Sequence, residues 1–119
     1  MAKFLIVDDS KLARTQLKSI IVELGHEVVA EAKDGLEGYS LFVHHKPDIV
    51  TLDNVMPGMN GGECLKKILE VDPGAKVMMV SSVGKKTTIE EQLEMGASFF
   101  LTKPYEKDNL IEAIDKVLG

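Results

Sequence analysis

Apolar runs and amphipathic segments alternate along the whole chain. Five short runs are nearly continuous in apolar, β-favouring residues, which is typical of strands buried on both faces of a parallel sheet. These predicted strands are residues 3–7, 26–32, 48–52, 76–81 and 98–102. After each run, apolar residues recur at three- and four-residue spacing, which predicts a helix. The pattern is therefore strand–helix repeated to the end of the chain.

Capping and turn residues separate these elements. Asp9 or Ser10 can cap the first helix, Gly25 ends it, and Asp34-Gly35 begins the second helix. Strands alternating with helices predict a parallel sheet covered on both faces. Because crossover connections between parallel strands are right-handed, only a few strand orders are possible for so small a sheet. We predict a doubly wound, flavodoxin-like α/β fold with five strands in the order 2-1-3-4-5 and five helices.

Composition narrows the class of protein. The chain has 119 residues, of which 45% are hydrophobic, so residues 1–119 can form one domain with its own core. The single Cys favours a reducing cytoplasm, and the apolar run after Met1-Ala2-Lys3 is too short for a signal peptide or membrane span. The net charge of −5 argues against non-specific nucleic-acid binding, and we expect no nucleic-acid partner for this domain. We expect a cytoplasmic monomer with no membrane partner.

Chemically active residues stand at the ends of four predicted strands. Asp8 and Asp9 follow the first strand, Asp53 the third, Ser81 closes the fourth, and Lys103 follows the fifth. The carboxyl ends of parallel strands share one edge of the sheet, so these side chains should converge there. Asp53 opens into a loop with one Pro and three Gly, which should hold its carboxylate in the open.

The charges of these residues suggest a chemistry. Three neighbouring carboxylates repel one another unless a cation joins them, and hard oxygen ligands suit Mg²⁺. The ammonium of Lys103 would favour phosphate oxygens, and the Ser81 hydroxyl could hydrogen-bond one of them. Asp53 beside such cations is a plausible nucleophile toward a phosphoryl donor, which would give an aspartyl phosphate.

The chain resembles bacterial and archaeal response-regulator receiver domains, and among them the single-domain chemotaxis regulators of the CheY type. The residues that carry the resemblance are Val7-Asp8-Asp9, residues 53–61 (Asp-Asn-Val-Met-Pro-Gly-Met-Asn-Gly), Ser81 and Lys103-Pro104. The resemblance implies that Asp53 accepts a phosphoryl group from a histidine kinase in a two-component system. It implies that Asp9, Asp53 and the Val55 main-chain carbonyl bind Mg²⁺ or Mn²⁺, with Asp8 acting mainly through water.

The resemblance also assigns a switch. Ser81 would be the switch hydroxyl, Phe100 the switch aromatic and Lys103 the phosphate-binding ammonium, and the Lys103–Pro104 peptide bond is a candidate for the cis form. The downstream protein partner would bind the face formed by the fourth helix, fifth strand and fifth helix. In a chemotaxis protein that partner would be a motor-switch component.

Three positions either depart from the family pattern or influence the rate of dephosphorylation. Asn54 stands where the family usually has an apolar residue, so packing there should differ. Val55 and Val83 occupy positions that tune dephosphorylation and lack a polar group to orient water. We expect slow self-dephosphorylation and no enzymatic activity beyond this protein's own phosphorylation and dephosphorylation.

Alternatives of role remain open at this point. The chain could pass its phosphoryl group to a histidine phosphotransfer protein, or be the receiver of a DNA-binding regulator. Asn109 and Ala113 stand where one large group of such regulators usually carries Glu and Arg, which disfavours the last reading. For two further positions we expect purely structural roles. Cys64 should be a partly buried apolar residue, and Phe99 and Phe100 should face opposite sides of a strand.

Overall fold

The computed structural model describes residues 1–82 and 85–119, and in them strands and helices alternate from one end to the other. The strands are β1 (Lys3–Val7), β2 (Glu27–Ala32), β3 (Ile49–Leu52), β4 (Val77–Ser81) and β5 (Phe99–Thr102). The helices are α1 (Lys11–Glu23), α2 (Gly35–His45), α3 (Gly61–Val71), α4 (Lys86–Met95) and α5 (Lys107–Leu118). The predicted strands β2 to β5 each begin one residue later than expected, where pairing with the neighbouring strand begins.

All five strands are parallel, and their order is β2-β1-β3-β4-β5. This confirms the predicted doubly wound sheet. β1 and β3 pair directly, with Val7 opposite Leu52, so the residues that follow these two strands leave the sheet side by side. The helix that follows β1 and the helix that follows β3 lie on opposite faces, which places the switch point of the winding between these two strands.

Two apolar layers cover the sheet, one on each face. The first layer joins alternate strand residues such as Phe4 and Ile6 to α1 and α5. The second joins the intervening residues Leu5 and Val7 to α2 and α3. Among the described residues, neither layer includes a side chain of α4. Helix α4 is therefore the element that the two cores hold least.

The two phenylalanines of β5 behave as the strand period predicts. Phe99 packs against the α1/α5 layer and Phe100 against the α2/α3 layer, and both are partly buried. Cys64 is a correction, because it is fully buried rather than partly buried: its position on α3 faces the sheet. Burial, with a smaller contribution from the charge of Asp34, raises the pKa of the Cys64 thiol to about 12, so the thiol stays protonated.

The helix starts differ in how they are capped. The side chains of Ser10, Asp34 and Asn60 each accept a hydrogen bond from a first-turn amide of α1, α2 and α3. Helix α4 begins after Lys85 with no side-chain cap. In the described part of the chain, no helix combines the length and the apolar content needed to cross a membrane.

Candidate functional site

Three carboxylates converge where β1 and β3 end. Asp8, Asp9 and Asp53 each offer an oxygen that lies within 4.8 Å of the others. Asp8 and Asp53 are buried, with exposed fractions of 4% and 7%, and Asp9 is exposed. The sequence prediction that these side chains meet at one edge of the sheet is confirmed by their geometry.

The expectation of an open Asp53 is wrong. In the loop after Asp53, Met56 packs into the α2/α3 layer and the Gly61 amide donates to the Asn54 carbonyl at 3.0 Å. The Val55 side chain, by contrast, stays 58% exposed. Asp53 itself is buried, with an exposed fraction of 7%, so its carboxyl group has little contact with bulk water.

Main-chain hydrogen bonds fix the two buried acids. The Asp53 amide donates to the Val7 carbonyl at 3.0 Å, and the Asp8 amide donates to the Ala32 carbonyl at 3.0 Å. The Ser10 amide donates to Asp8 Oδ1 at 2.9 Å, which orients that carboxylate. Both acids thus continue the hydrogen-bonding pattern of the strands beyond their ends.

Arg14 is a site residue that the sequence analysis missed. Its Nη1 donates to the main-chain carbonyl of Asp8 at 2.6 Å, and its Nε donates to Glu31 at 3.3 Å. It therefore ties the loop between β1 and α1, which carries Asp8 and Asp9, to both α1 and β2. The available signal was that Arg14 is the single arginine of the chain and lies one turn after the Ser10 cap.

Lys103 brings a positive charge to the carboxylates. Its Nζ lies 2.5 Å from Asp8 Oδ2 and 3.7 Å from Asp53 Oδ2, and its amide donates to the Ser81 carbonyl at 2.9 Å. Burial alone would lower the pKa of Lys103, but the hydrogen bond to Asp8 and the charges of Asp53 and Asp8 raise it overall. The ammonium therefore stays charged. The Lys103–Pro104 peptide bond is cis, as expected.

The surroundings of Asp53 disfavour its ionised form and raise the pKa of its carboxyl group. Burial is the largest influence and raises its pKa, and the charge of Asp8 raises it further. The charge of Lys103 and hydrogen bonds from the Ser81 side chain and the Val55 main chain lower the pKa but do not compensate fully. An ionised Asp53 is thus destabilised in this environment until another cation joins the site.

This pKa shift predicts a pH-dependent stability. An acid whose pKa is raised on folding contributes less stability as pH rises from its unfolded value, about 4, through its folded value. Above that window the full cost of the buried charge is present. We therefore expect Asp53→Asn to be more stable than the wild type at neutral pH without divalent cations, and its advantage to shrink on acidification.

Urea unfolding of both proteins at several pH values measures this advantage. Asp115→Asn, which changes an exposed carboxylate on α5, is the matched control and should show no gain. An Asp53→Asn protein that is no more stable than the wild type at neutral pH, or whose advantage grows in acid, would contradict the assignment of a destabilised carboxylate.

The donor set fits a magnesium ion. Three carboxylates with oxygens within 4.8 Å of one another form a cluster of hard ligands, and Mg²⁺ binds such ligands while keeping several waters. A divalent cation would also offset the repulsion between Asp8 and Asp53, which Lys103 relieves only in part. Val55 belongs to the same site, since its main chain hydrogen-bonds the Asp53 carboxylate.

The remaining site residues surround Asp53 from β4 and β5. Ser81 is fully buried, and its side chain hydrogen-bonds Asp53, whereas Ser82 is exposed. Phe100 lies next to Met79 of β4 and is partly buried. Val83, for which we expect an influence on dephosphorylation, lies outside the described residues.

Comparisons with known proteins agree with this geometry. The family model for the response regulator receiver domain matches residues 4–115. The chain is 45% identical over 116 residues to the chemotaxis protein CheY of Listeria monocytogenes, covering 98% of each, and 41% identical over 115 residues to CheY of Thermotoga maritima, covering 97% of this chain and 96% of the relative.

A solved structure shows the same fold. The crystal structure of the CheX–CheY–BeF₃–Mg²⁺ complex from Borrelia burgdorferi aligns with a TM-score of 0.96 at 36% identity, covering 98% of this chain and 89% of that chain. The strand order, the convergent acids and the family match over residues 4–115 lead to the same conclusion. The chain belongs to the response-regulator receiver domain family and is a CheY-like receiver.

Proposed function

We propose that Asp53 accepts a phosphoryl group from the phosphohistidine of a histidine kinase, and that a protein partner reads the resulting state. The observation that carries this proposal is the grouping of Asp53 with two further carboxylates and the Lys103 ammonium, all within one site. A single buried acid would be protonated or paired, whereas this cluster can bring a cation and a nucleophile together.

The transfer can be written on the atoms of the site. An oxygen of Asp53 attacks the phosphorus, an O–P bond forms, the P–N bond to the imidazole breaks, and the imidazole nitrogen takes a proton from solvent. Mg²⁺, when bound, would supply positive charge that offsets the negative phosphoryl oxygens. Lys103 provides a second positive charge, and the Ser81 hydroxyl provides a hydrogen-bond donor beside Asp53. Asp8 and Asp9 would provide further carboxylate oxygens to hold the cation.

Lys103 is placed to change partners during this reaction. In the unphosphorylated protein its Nζ lies closer to Asp8 than to Asp53, at 2.5 Å against 3.7 Å. New phosphoryl oxygens on Asp53 would compete with Asp8 for the ammonium, since a phosphoryl group carries more charge than a carboxylate. Its loop leads through Pro104 toward α5, so this exchange would reach the output side of the domain.

The proposed output face joins α4, β5 and α5. A groove there is lined by Phe99, Phe100, Tyr105, Asn109 and Glu112, which gives a partner both apolar and polar contacts. The Borrelia burgdorferi relative was crystallised in complex with CheX, which supports a protein partner in this family. The chemotaxis relatives favour a motor-switch component as the partner, with phosphotransfer to another histidine protein as the second possibility.

The phosphoryl group should be lost slowly. Val55 presents an exposed apolar side chain beside Asp53, and such a side chain cannot orient a water molecule for attack on the phosphorus. This protein acts on no external substrate in our proposal; its chemistry is confined to its own phosphorylation and slow dephosphorylation.

Intact-mass measurement tests the proposal. After incubation with acetyl phosphate and Mg²⁺, the wild type should gain the mass of one phosphoryl group, and chelation of Mg²⁺ should suppress the gain. Asp53→Asn should gain none, whereas the control Asp115→Asn, on the exposed side of α5, should label as the wild type does. Equal labelling of Asp53→Asn would overturn the assignment of the acceptor.

A further inference from the structure

The residue after Asp53 makes a contact that the family pattern does not predict. The Asn54 Nδ2 donates to Gln92 Oε1 at 3.0 Å, and the Gln92 Nε2 donates in return to Asn54 Oδ1. The two side chains thus form a closed pair of amides joined by two hydrogen bonds. The pair connects positions 38 residues apart in the sequence, one in the β3–α3 loop and the other on α4.

Gln92 has an unusual place in α4. It is the only buried residue of that helix, with an exposed fraction of 6%, and all residues of α4 belong to the described part of the chain. The apolar residues Leu93 and Met95 are more than 40% exposed, at 43% and 41%. Thr88 and Ile89 are partly buried, so Gln92 is the most deeply buried side chain of α4, and its polar group needs a hydrogen-bond partner. The amide pair supplies that partner and attaches α4 to the β3–α3 loop.

The other end of the pair is rigidly connected to the acceptor. Asn54 follows Asp53 directly, and its carbonyl accepts the Gly61 amide at 3.0 Å, which fixes the loop to the start of α3. Gln92 also approaches that start: a Cβ added at Gly62 would lie 3.5 Å from Gln92 Nε2. The amide pair thus joins the residue that follows Asp53 directly to the side chain of Gln92 on α4.

We propose that the Asn54–Gln92 amide pair is a tether that couples the phospho-acceptor loop to α4. Asn54 and Gln92 are positioning residues in this view, since neither touches the reacting atoms. The tether deepens the proposed function, on which it rests for its signalling role: it gives Asp53 a direct mechanical link to the output face. Apolar residues at these two positions could pack against each other, but they could not form the two hydrogen bonds that fix the position of the loop relative to the helix.

Hydrogen exchange of the α4 amides tests the tether in the unphosphorylated protein. Asn54→Ala lies outside α4, yet it should accelerate exchange across Lys86–Met95 by about tenfold, because two hydrogen bonds are lost and one buried amide is left unpaired. Gln92→Ala should have a similar effect, and the double variant should be no worse than either single variant. Exchange in α5 should change less than about twofold, since α5 is anchored in the α1/α5 layer.

Two further variants separate pairing from general loss of structure. The double variant Asn54→Gln/Gln92→Asn swaps the two amide side chains and keeps the total length of the pair. Its α4 amides should exchange as slowly as those of the wild type, unlike those of the alanine variants. Glu90→Gln breaks an exposed ion pair with Lys86 on the same helix, at 3.9 Å, and should leave exchange unchanged. Unchanged exchange in Asn54→Ala, or additive effects of the two single substitutions, would overturn the tether.

The coupling is tested by repeating the exchange after treatment with acetyl phosphate and Mg²⁺. Phosphorylation should change the hydrogen-exchange rates of the α4 amides in the wild type. The change in Asn54→Ala should be less than half as large, and intact mass should show the phosphoryl adduct in both proteins. An equal change in both proteins, or none in a labelled wild type, would overturn the coupling. A wild type that forms no adduct would defeat the proposed function instead, while the unphosphorylated comparison still decides the tether.

Discussion

Replacement of Lys103 by methionine is expected to slow phosphoryl transfer from acetyl phosphate to Asp53 by about two to three orders of magnitude. Lys103 lies between Asp8 and Asp53, at 2.5 Å and 3.7 Å, and it is the nearest positive charge to the acceptor among the described residues. Without it, the negative charge that develops on the phosphoryl oxygens would meet two unshielded carboxylates. Mg²⁺ could offset only part of that loss.

The rate is measured as the growth of the phosphoryl adduct by intact mass at fixed Mg²⁺. Lys107→Met is the matched control, since Lys107 also forms an ion pair, with Glu23 at 2.7 Å, but both members of that pair are exposed. Its rate should stay within about twofold of the wild type. Lys103→Arg keeps the charge and should recover part of the lost rate. A Lys103→Met protein that labels within a few-fold of the wild type would show that the ammonium does not assist transfer.

Alanine at Gly61 is expected to destabilise the protein by about 3 kcal/mol. A Cβ at this position would lie 2.2 Å from the Asp53 carbonyl oxygen and 2.7 Å from the Asn54 Cα. Both are main-chain atoms, so no side-chain rotation can relieve the overlap. The loop that carries Asp53 would have to move away from α3, and phosphorylation should slow with the loss of stability.

The next residue supplies a close control. A Cβ at Gly62 would meet only side-chain atoms, at 3.4 Å from Asn60 and 3.5 Å from Gln92. Gly62→Ala should therefore be neutral or gain up to about 1 kcal/mol, since alanine favours the helix more than glycine does. Urea unfolding of the two variants measures the contrast. Equal stabilities for Gly61→Ala and Gly62→Ala would mean that the loop is free to yield at the acceptor.

The sequence predicts those parts of the site that follow from strand periodicity. Asp8, Asp53, Ser81 and Lys103 could be placed together because each stands at the carboxyl end of a strand in a parallel sheet, and the sheet order follows from right-handed crossovers. The same periodicity places Phe99 and Phe100 on opposite faces. These inferences need no knowledge of loop conformation.

The remaining features depend on the conformation of irregular loops, which the hydrophobic periodicity of the sequence does not predict. Asp53 and Met56 of the following loop are both buried, which depends on the path of a loop that follows no regular period. Arg14 reaches the Asp8 carbonyl through its choice of side-chain rotamer. Likewise, Asn54 could be recognised as unusual after Asp53, but its partner Gln92 is defined only by the approach of α4.

The central claim is that the phosphoryl group resides on the carboxylate of Asp53. Borohydride reduces an acyl phosphate to an alcohol, so a phosphorylated aspartate becomes homoserine while free aspartates stay unchanged. We predict that protein treated with acetyl phosphate and Mg²⁺, then reduced, digested and sequenced by mass spectrometry, carries homoserine at position 53 and at no other aspartate. Homoserine at Asp8 or Asp9, or an adduct that yields no homoserine at position 53, would contradict the account.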